Sequence, residues 1–150
     1  MFDAPVHADR RSRLAAALGD GIAIVATAPE VPRNRDTHYP YRHDSYFYYL
    51  TGFIEPGACL VVAADGHSTL FCQPKDLERE IWDGYRLGPA AAPEALGVDA
   101  AQSAAVLDAQ LPRLLENRSC VWYPFATHAG LAARVEGWLN AVRARVRYGA

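Results

Sequence analysis

Histidine, aspartate and arginine crowd the stretch DTHYPYRHDSYFYYLTGF at residues 36–53, which also holds five of the chain's eight tyrosines. Two kinds of chemistry are open to it. His38, His43, Asp44 and Asp36 have the side chains of metal ligands. The two histidines stand five apart across Pro40, however, so they need not share a helix face, and a hydrolytic metal centre needs several convergent ligands and partners that orient them. An ordered loop whose polar groups bond one another fits the same residues. The tyrosines suit a stacking platform for single-stranded nucleic acid, but such platforms lie in a basic groove. Tyr46, Tyr49, Leu50 and Phe53 recur instead at three, four and seven, the spacing of one helix face packed on a sheet, with phenols bonding at its rim.

Other reactive groups are scattered. No GxSxG elbow occurs, and the cysteines and histidines have no spacing that signals a nucleophile and its base. The eleven glycines are dispersed as caps and turns, not gathered into a phosphate-binding loop. Glu78 and Glu80 read as a solvated helix face.

The elements that must position these groups follow from hydrophobic period and breakers. Residues 9–18 suit a helix capped by Asp9 and stopped by Gly19. GIAIVATA (21–28) has buried-strand character, and the Pro- and Arg-rich segment after it is an ordered loop. Asp44, Ser45 and Gly52 bracket a short helix. Residues 58–73 form a hairpin turning at Asp65-Gly66. Short helices are predicted over 75–84 and 93–97. A longer one lies within 104–116, on Val106, Leu107, Leu111, Leu114 and Leu115. Pro112 makes that helix start late, near Asp108, or kink. SCVWYPF (119–125) is a strand, and Leu131, Val135, Trp138, Leu139 and Val142 trace one face of a last helix with arginines opposite. Alternating strands and helices with one hairpin predict an α/β fold with a mixed β-sheet, in one domain spanning 1–150.

Bulk properties agree. At 150 residues, 51% hydrophobic and a net charge of −2, the chain can bury a core and gains little from phosphate. Nucleic acid is therefore not an expected partner. Nor is a membrane, because no stretch approaches the ~20 apolar residues of a spanning helix. Cys59, Cys72 and Cys120 form no CxxC pair and the start lacks an export signal, so reduced thiols in the cytoplasm are expected.

The string YPYRHDSYFYYLTGFIEPGACLVV resembles the amino-terminal domain of aminopeptidase P (Xaa-Pro aminopeptidase), of the creatinase/prolidase superfamily. Tyr39, Pro40, Tyr41, Arg42, Ser45, Phe47, Tyr49, Leu50, Thr51, Gly52, Phe53, Glu55 and Pro56 match its pattern in order. RRSRLAAAL, APEVPRNRD and EIWDGYRLGPAAAPEALGVD extend the resemblance from about residue 9 to the end. It implies a ribonuclease H-like fold, a mixed sheet flanked by helices. It also implies a parent enzyme whose carboxy-terminal "pita-bread" domain, absent from this chain, holds two divalent metal ions, typically manganese. No residue here receives a catalytic, cofactor or metal role.

By the same resemblance the first domain builds the oligomer and walls off the substrate cleft, with its own catalytic domain, neighbouring subunits and an Xaa-Pro peptide as partners. Three positions match cleft-lining sites. Trp82 in EIWDG can pack on a proline ring, or be a core tryptophan. Asp36 in RNRD can pair with a cation across the boundary, or cap a loop. Arg147 matches by spacing alone, and a solvated arginine fits equally. The leading expectation is thus a non-catalytic gating and assembly domain of a proline-specific metalloaminopeptidase, inactive alone. A free-standing peptide- or protein-binding module is the alternative, and a small enzyme built on His38, His43 and Asp44 a third. The end at RVRYGA, with no closing element after the long helix, favours a truncated piece over a module.

Overall fold

Pleating sends successive strand residues to opposite faces, and in this chain both faces are apolar. The computed structural model describes residues 3–27, 44–125 and 130–146. GIAIVATA contributes β1 (Ile22–Ala26), and the predicted hairpin forms β2 (Cys59–Ala63) and β3 (Ser68–Cys72). Two more strands, β4 (Ala100–Ser103) and β5 (Val121–Trp122), complete a sheet of order β4-β3-β2-β1-β5. β2 is antiparallel to β1 and β3, whereas β4 runs parallel to β3 and β5 parallel to β1. The expected mixed sheet is therefore present.

Among the described residues six α-helices accompany it: α1 (Ala4–Ala16), α2 (Ser45–Thr51), α3 (Leu77–Asp83), α4 (Ala92–Leu96), α5 (Leu107–Leu115) and α6 (Leu131–Ala144). Val25, Leu60, Val62 and Leu70 pack under Phe47, Leu50, Phe53 and Leu96 on one face. Ile22, Ile24, Val61 and Phe71 pack under Leu111, Leu115, Leu131, Val135 and Trp138 on the other. Every residue of β2 and β3 is buried, as a sheet covered on both sides requires. No helix among the described residues is long and apolar enough to cross a membrane.

Several local readings change. α1 begins at Ala4 with Pro5 in its first turn, where a missing N–H costs nothing. Asp9 lies inside that helix and pairs with Arg13 at 3.2 Å instead of capping. In α2, Asp44 does cap, accepting from the Phe47 N–H at 2.8 Å, and Gly52 ends the helix at φ 69°. The buried set is Phe47, Leu50, Thr51 and Phe53, while Tyr46 and Tyr49 face solvent. A phenyl ring enters the core without stranding a hydroxyl, so phenylalanine takes the inner face. β5 is shorter than its predicted run, and β4 was not predicted at all. Val106 falls in a 3-10 turn (Ala104–Val106) ahead of α5 and is exposed. α5 starts at Leu107, close to the expected point, and keeps Pro112 inside because Leu111 and Leu115 anchor it.

The short helices on the first face are tied down by α1. Arg11, nearly fully buried, donates from Nη1 to the Leu50 carbonyl at 2.8 Å and from Nη2 to the Leu96 carbonyl at 3.1 Å. Those carbonyls end α2 and α4, where helix geometry leaves acceptors unpaired and the dipole is negative. His7 Nδ1 adds a bond to the Tyr49 carbonyl at 2.8 Å. Its ring leaves no room at Gly52, where a Cβ would stand 2.6 Å from Nε2. Arg11→Met removes both donors and strands two buried carbonyls, so it is expected to lower unfolding free energy by ~2–4 kcal/mol in denaturant melts. Arg11→Lys should recover only part.

Candidate functional site

Between β3 and α4 the chain leaves the sheet and builds an arm, residues 75–88, on α3. Asp76 caps the helix by accepting from the Glu78 and Arg79 N–H groups. Gly84 ends it, with its N–H donated to the Glu80 carbonyl. The spacing of Leu77 and Ile81 predicted this helix, yet no described side chain of α3 is buried. Leu77 is 71% exposed, Ile81 78%, Trp82 86% and Tyr85 70%. Single exposed apolar residues are ordinary, whereas four on one short projection form a contiguous exposed apolar stretch.

What holds the arm is polar. Lys75 Nζ donates to Glu80 Oε1 at 2.6 Å and to the Arg86 carbonyl at 2.8 Å, and stands 4.1 Å from the Tyr85 ring centre. Glu80 Oε1 also accepts the Arg86 N–H at 2.7 Å. The Lys75 bond, followed by that backbone bond, holds the Glu80 carboxyl below its ordinary value. Glu80 is therefore the internal acceptor of the arm and not part of a solvated face, although Glu78 is exposed as expected. One step further in, Glu55 Oε2 accepts the Leu87 N–H at 2.9 Å. Glu55 Oε1 is buried without a hydrogen-bond partner, and burial pushes this carboxyl above its ordinary value of 4.5.

The remaining candidates carry less. A cleft of about 330 Å³ opens on the second face between Thr27, Cys59, Leu131, Arg134 and Trp138. Burial pushes the Cys59 thiol up to about 12, which removes it as a nucleophile. Asp108 accepts from Trp138 Nε1 at 2.9 Å and Arg134 at 3.0 Å, closing that wall structurally. Cys59 and Cys72 are buried free thiols, and Cys120 is exposed. Among the described residues no group of three or more His, Cys, Asp or Glu is placed to hold a metal ion. Asp44 serves as a helix cap, while His38, His43, Asp36 and Arg147 lie outside the described residues. Of the three predicted cleft residues, Trp82 alone is described, and it is not a core tryptophan.

Residues 7–122 match the family described as "Aminopeptidase P, N-terminal domain". The chain belongs to that family. Xaa-Pro aminopeptidase of Escherichia coli K12 is 41% identical over 139 residues, which cover 89% of this chain and 32% of that protein. Human Xaa-Pro aminopeptidase 3 is 31% identical over 121 residues, 75% of this chain and 24% of that one. Among solved structures, Pseudomonas aeruginosa aminopeptidase PepP superposes with a TM-score of 0.90 at 40% identity, covering 96% of this chain and 34% of its own. A zinc-substituted E. coli aminopeptidase P in complex with product gives 0.86 at 38% identity, with 95% and 34% covered. The chain thus spans between about a quarter and a third of the length of these relatives.

In this aminopeptidase P domain the sequence pointed to Trp82 but not to Leu77, Ile81 and Tyr85 as companions, nor to Lys75, Glu80 and Glu55 as their support. A signal was available in Asp76 and the glycines Gly84 and Gly88, which bracket the arm. Glu55 gives a pH signature. A carboxyl whose folded value is raised binds its proton more tightly when folded, so its ionised form opposes folding at neutral pH. Glu55→Gln keeps an oxygen for the Leu87 N–H and removes that charge. Measured by denaturant midpoints from about pH 7.5 to about 4.5, the variant is expected to be the more stable at the upper end. The wild type should gain on it as pH falls through the raised value. Parallel curves would show that Glu55 is not desolvated.

Proposed function

We propose that this chain is the non-catalytic amino-terminal domain of a proline-specific metalloaminopeptidase, releasing the first residue of Xaa-Pro peptides, and that it assembles the oligomer and walls the substrate cleft. The solvent-exposed arm carries the reading: an indole and three apolar neighbours on α3 and beside it suit packing against a second surface and a proline ring. The E. coli and human relatives are named for Xaa-Pro cleavage, and the chain accounts for about a third or less of each. Asp36 and Arg147 join Trp82 in this reading by their match to the family pattern. The described residues offer no ligand set for the two divalent ions expected in the parent, so no step of the hydrolysis is assigned to this chain. Two divalent ions held by the rest of such an enzyme would supply Lewis-acid activation of water, and no residue of this chain is given a part in that chemistry.

Two outcomes are expected. The purified 150-residue chain should show no turnover of Xaa-Pro peptides with or without added manganese, and turnover lost on replacing His38 and His43 would instead establish an active site within it. In the complete enzyme, Trp82→Ala should reduce kcat/KM for Xaa-Pro peptides about tenfold, the equivalent of ~1.4 kcal/mol of lost contact. An unaltered kcat/KM would reduce Trp82 to a surface residue.

A further inference from the structure

A seven-residue helix is too short to persist alone in water, and α3 gains nothing from a buried face. Its order must come from its ends. The chain departs at Lys75 and returns at Arg86, and those two points are joined by one ammonium and one carboxylate. Lys75 Nζ reaches both Glu80 Oε1 and the Arg86 carbonyl, and Glu80 Oε1 takes the Arg86 N–H as well. The Lys75 side chain is 41% exposed and that of Glu80 14%, so the pair is partly withdrawn from solvent. Exposed pairs contribute little because water screens them; a partly buried pair that also satisfies backbone groups contributes more. Gly88 lets the returning segment come close, since a Cβ there would stand 3.0 Å from that of Lys75. Glu55 then fixes the next residue, Leu87, which is buried in the first core.

We propose that Lys75 and Glu80 are positioning residues for Trp82: they clasp the base of the arm and so fix the direction in which the indole is presented. This rests on the reading of Trp82 as a wall of the substrate cleft. The clasp touches neither peptide nor metal in that reading, and it acts through α3. Breaking it leaves the sheet and both cores intact, because none of their buried side chains takes part. The arm becomes a flexible loop, and the ordering cost then falls on substrate binding.

The test uses Lys75→Met, Glu80→Met and Lys75→Arg. In the 150-residue chain, hydrogen exchange of the amides of 80–84 is expected to quicken at least tenfold in Lys75→Met and Glu80→Met. Amides of β1–β3 should keep their protection. Lys75→Arg, which keeps the charge and donors, should restore most of the protection. Unchanged exchange in both disrupting variants overturns the clasp. In the complete enzyme, the disrupting variants are expected to raise KM for an Xaa-Pro peptide severalfold with kcat held. A loosened arm with unaltered KM, in an enzyme whose KM does respond to Trp82→Ala, overturns the positioning role. An enzyme indifferent to Trp82→Ala overturns the cleft reading instead, and the clasp is then decided by exchange alone.

Discussion

Backbone groups that leave regular structure must find partners, and in this domain a few charged side chains supply them. At the base of the arm one carboxylate oxygen of Glu80 accepts both the Lys75 ammonium and the Arg86 N–H. Across the first face, Arg11 donates to the carbonyls of Leu50 and Leu96 in the last turns of α2 and α4. Both are cases of one constraint: backbone groups left open near the ends of short helices, or in the segment that follows one, are closed by side chains. Arg11 does this for Leu50 and Leu96, and Lys75 and Glu80 do it for the carbonyl and N–H of Arg86. Remove those bonds and α2 and α4 still have apolar faces to hold them, whereas α3 has none.

The difference separates scaffold from surface. Phe47 and Leu50 attach α2 to the sheet, and Leu96 attaches α4. The cores on the two faces are closed by α1, α2 and α4 on one side and α5 and α6 on the other. The arm contributes only Leu87 at its root to either core. Leu77, Ile81, Trp82 and Tyr85 are thus left on the surface by a segment that has no packed face of its own.

Much of this was legible in the residues. The continuous apolar runs of β1–β3, the Asp65-Gly66 turn, the Asp44 and Gly52 brackets of α2 and the apolar face of α6 are local signals, and each was read correctly. The failures have tertiary causes. β4 is AAQS, with no β-branched residue, and is a strand only because β3 offers an edge and Asp99 bonds Ser68 at its start. The tyrosine spacing around α2 was real, but two interleaved faces were available and desolvation selected Phe47. Helical spacing of Leu77 and Ile81 gave the element without its burial, since period says which residues share a face and not what that face meets. Asp36 and Arg147 were reached through resemblance alone, as was the cleft role of Trp82.

The claim on which the rest depends is that the indole of Trp82 faces a cleft this chain does not itself contain. The most direct measurement replaces Trp82 by a photo-crosslinking phenylalanine analogue in the complete enzyme, irradiates it with an Xaa-Pro peptide bound, and maps the adduct by mass spectrometry. Attachment to the peptide, or to residues of the catalytic region lining its site, is the expected result. Adducts confined to solvent, or to surfaces remote from the bound peptide, would contradict it.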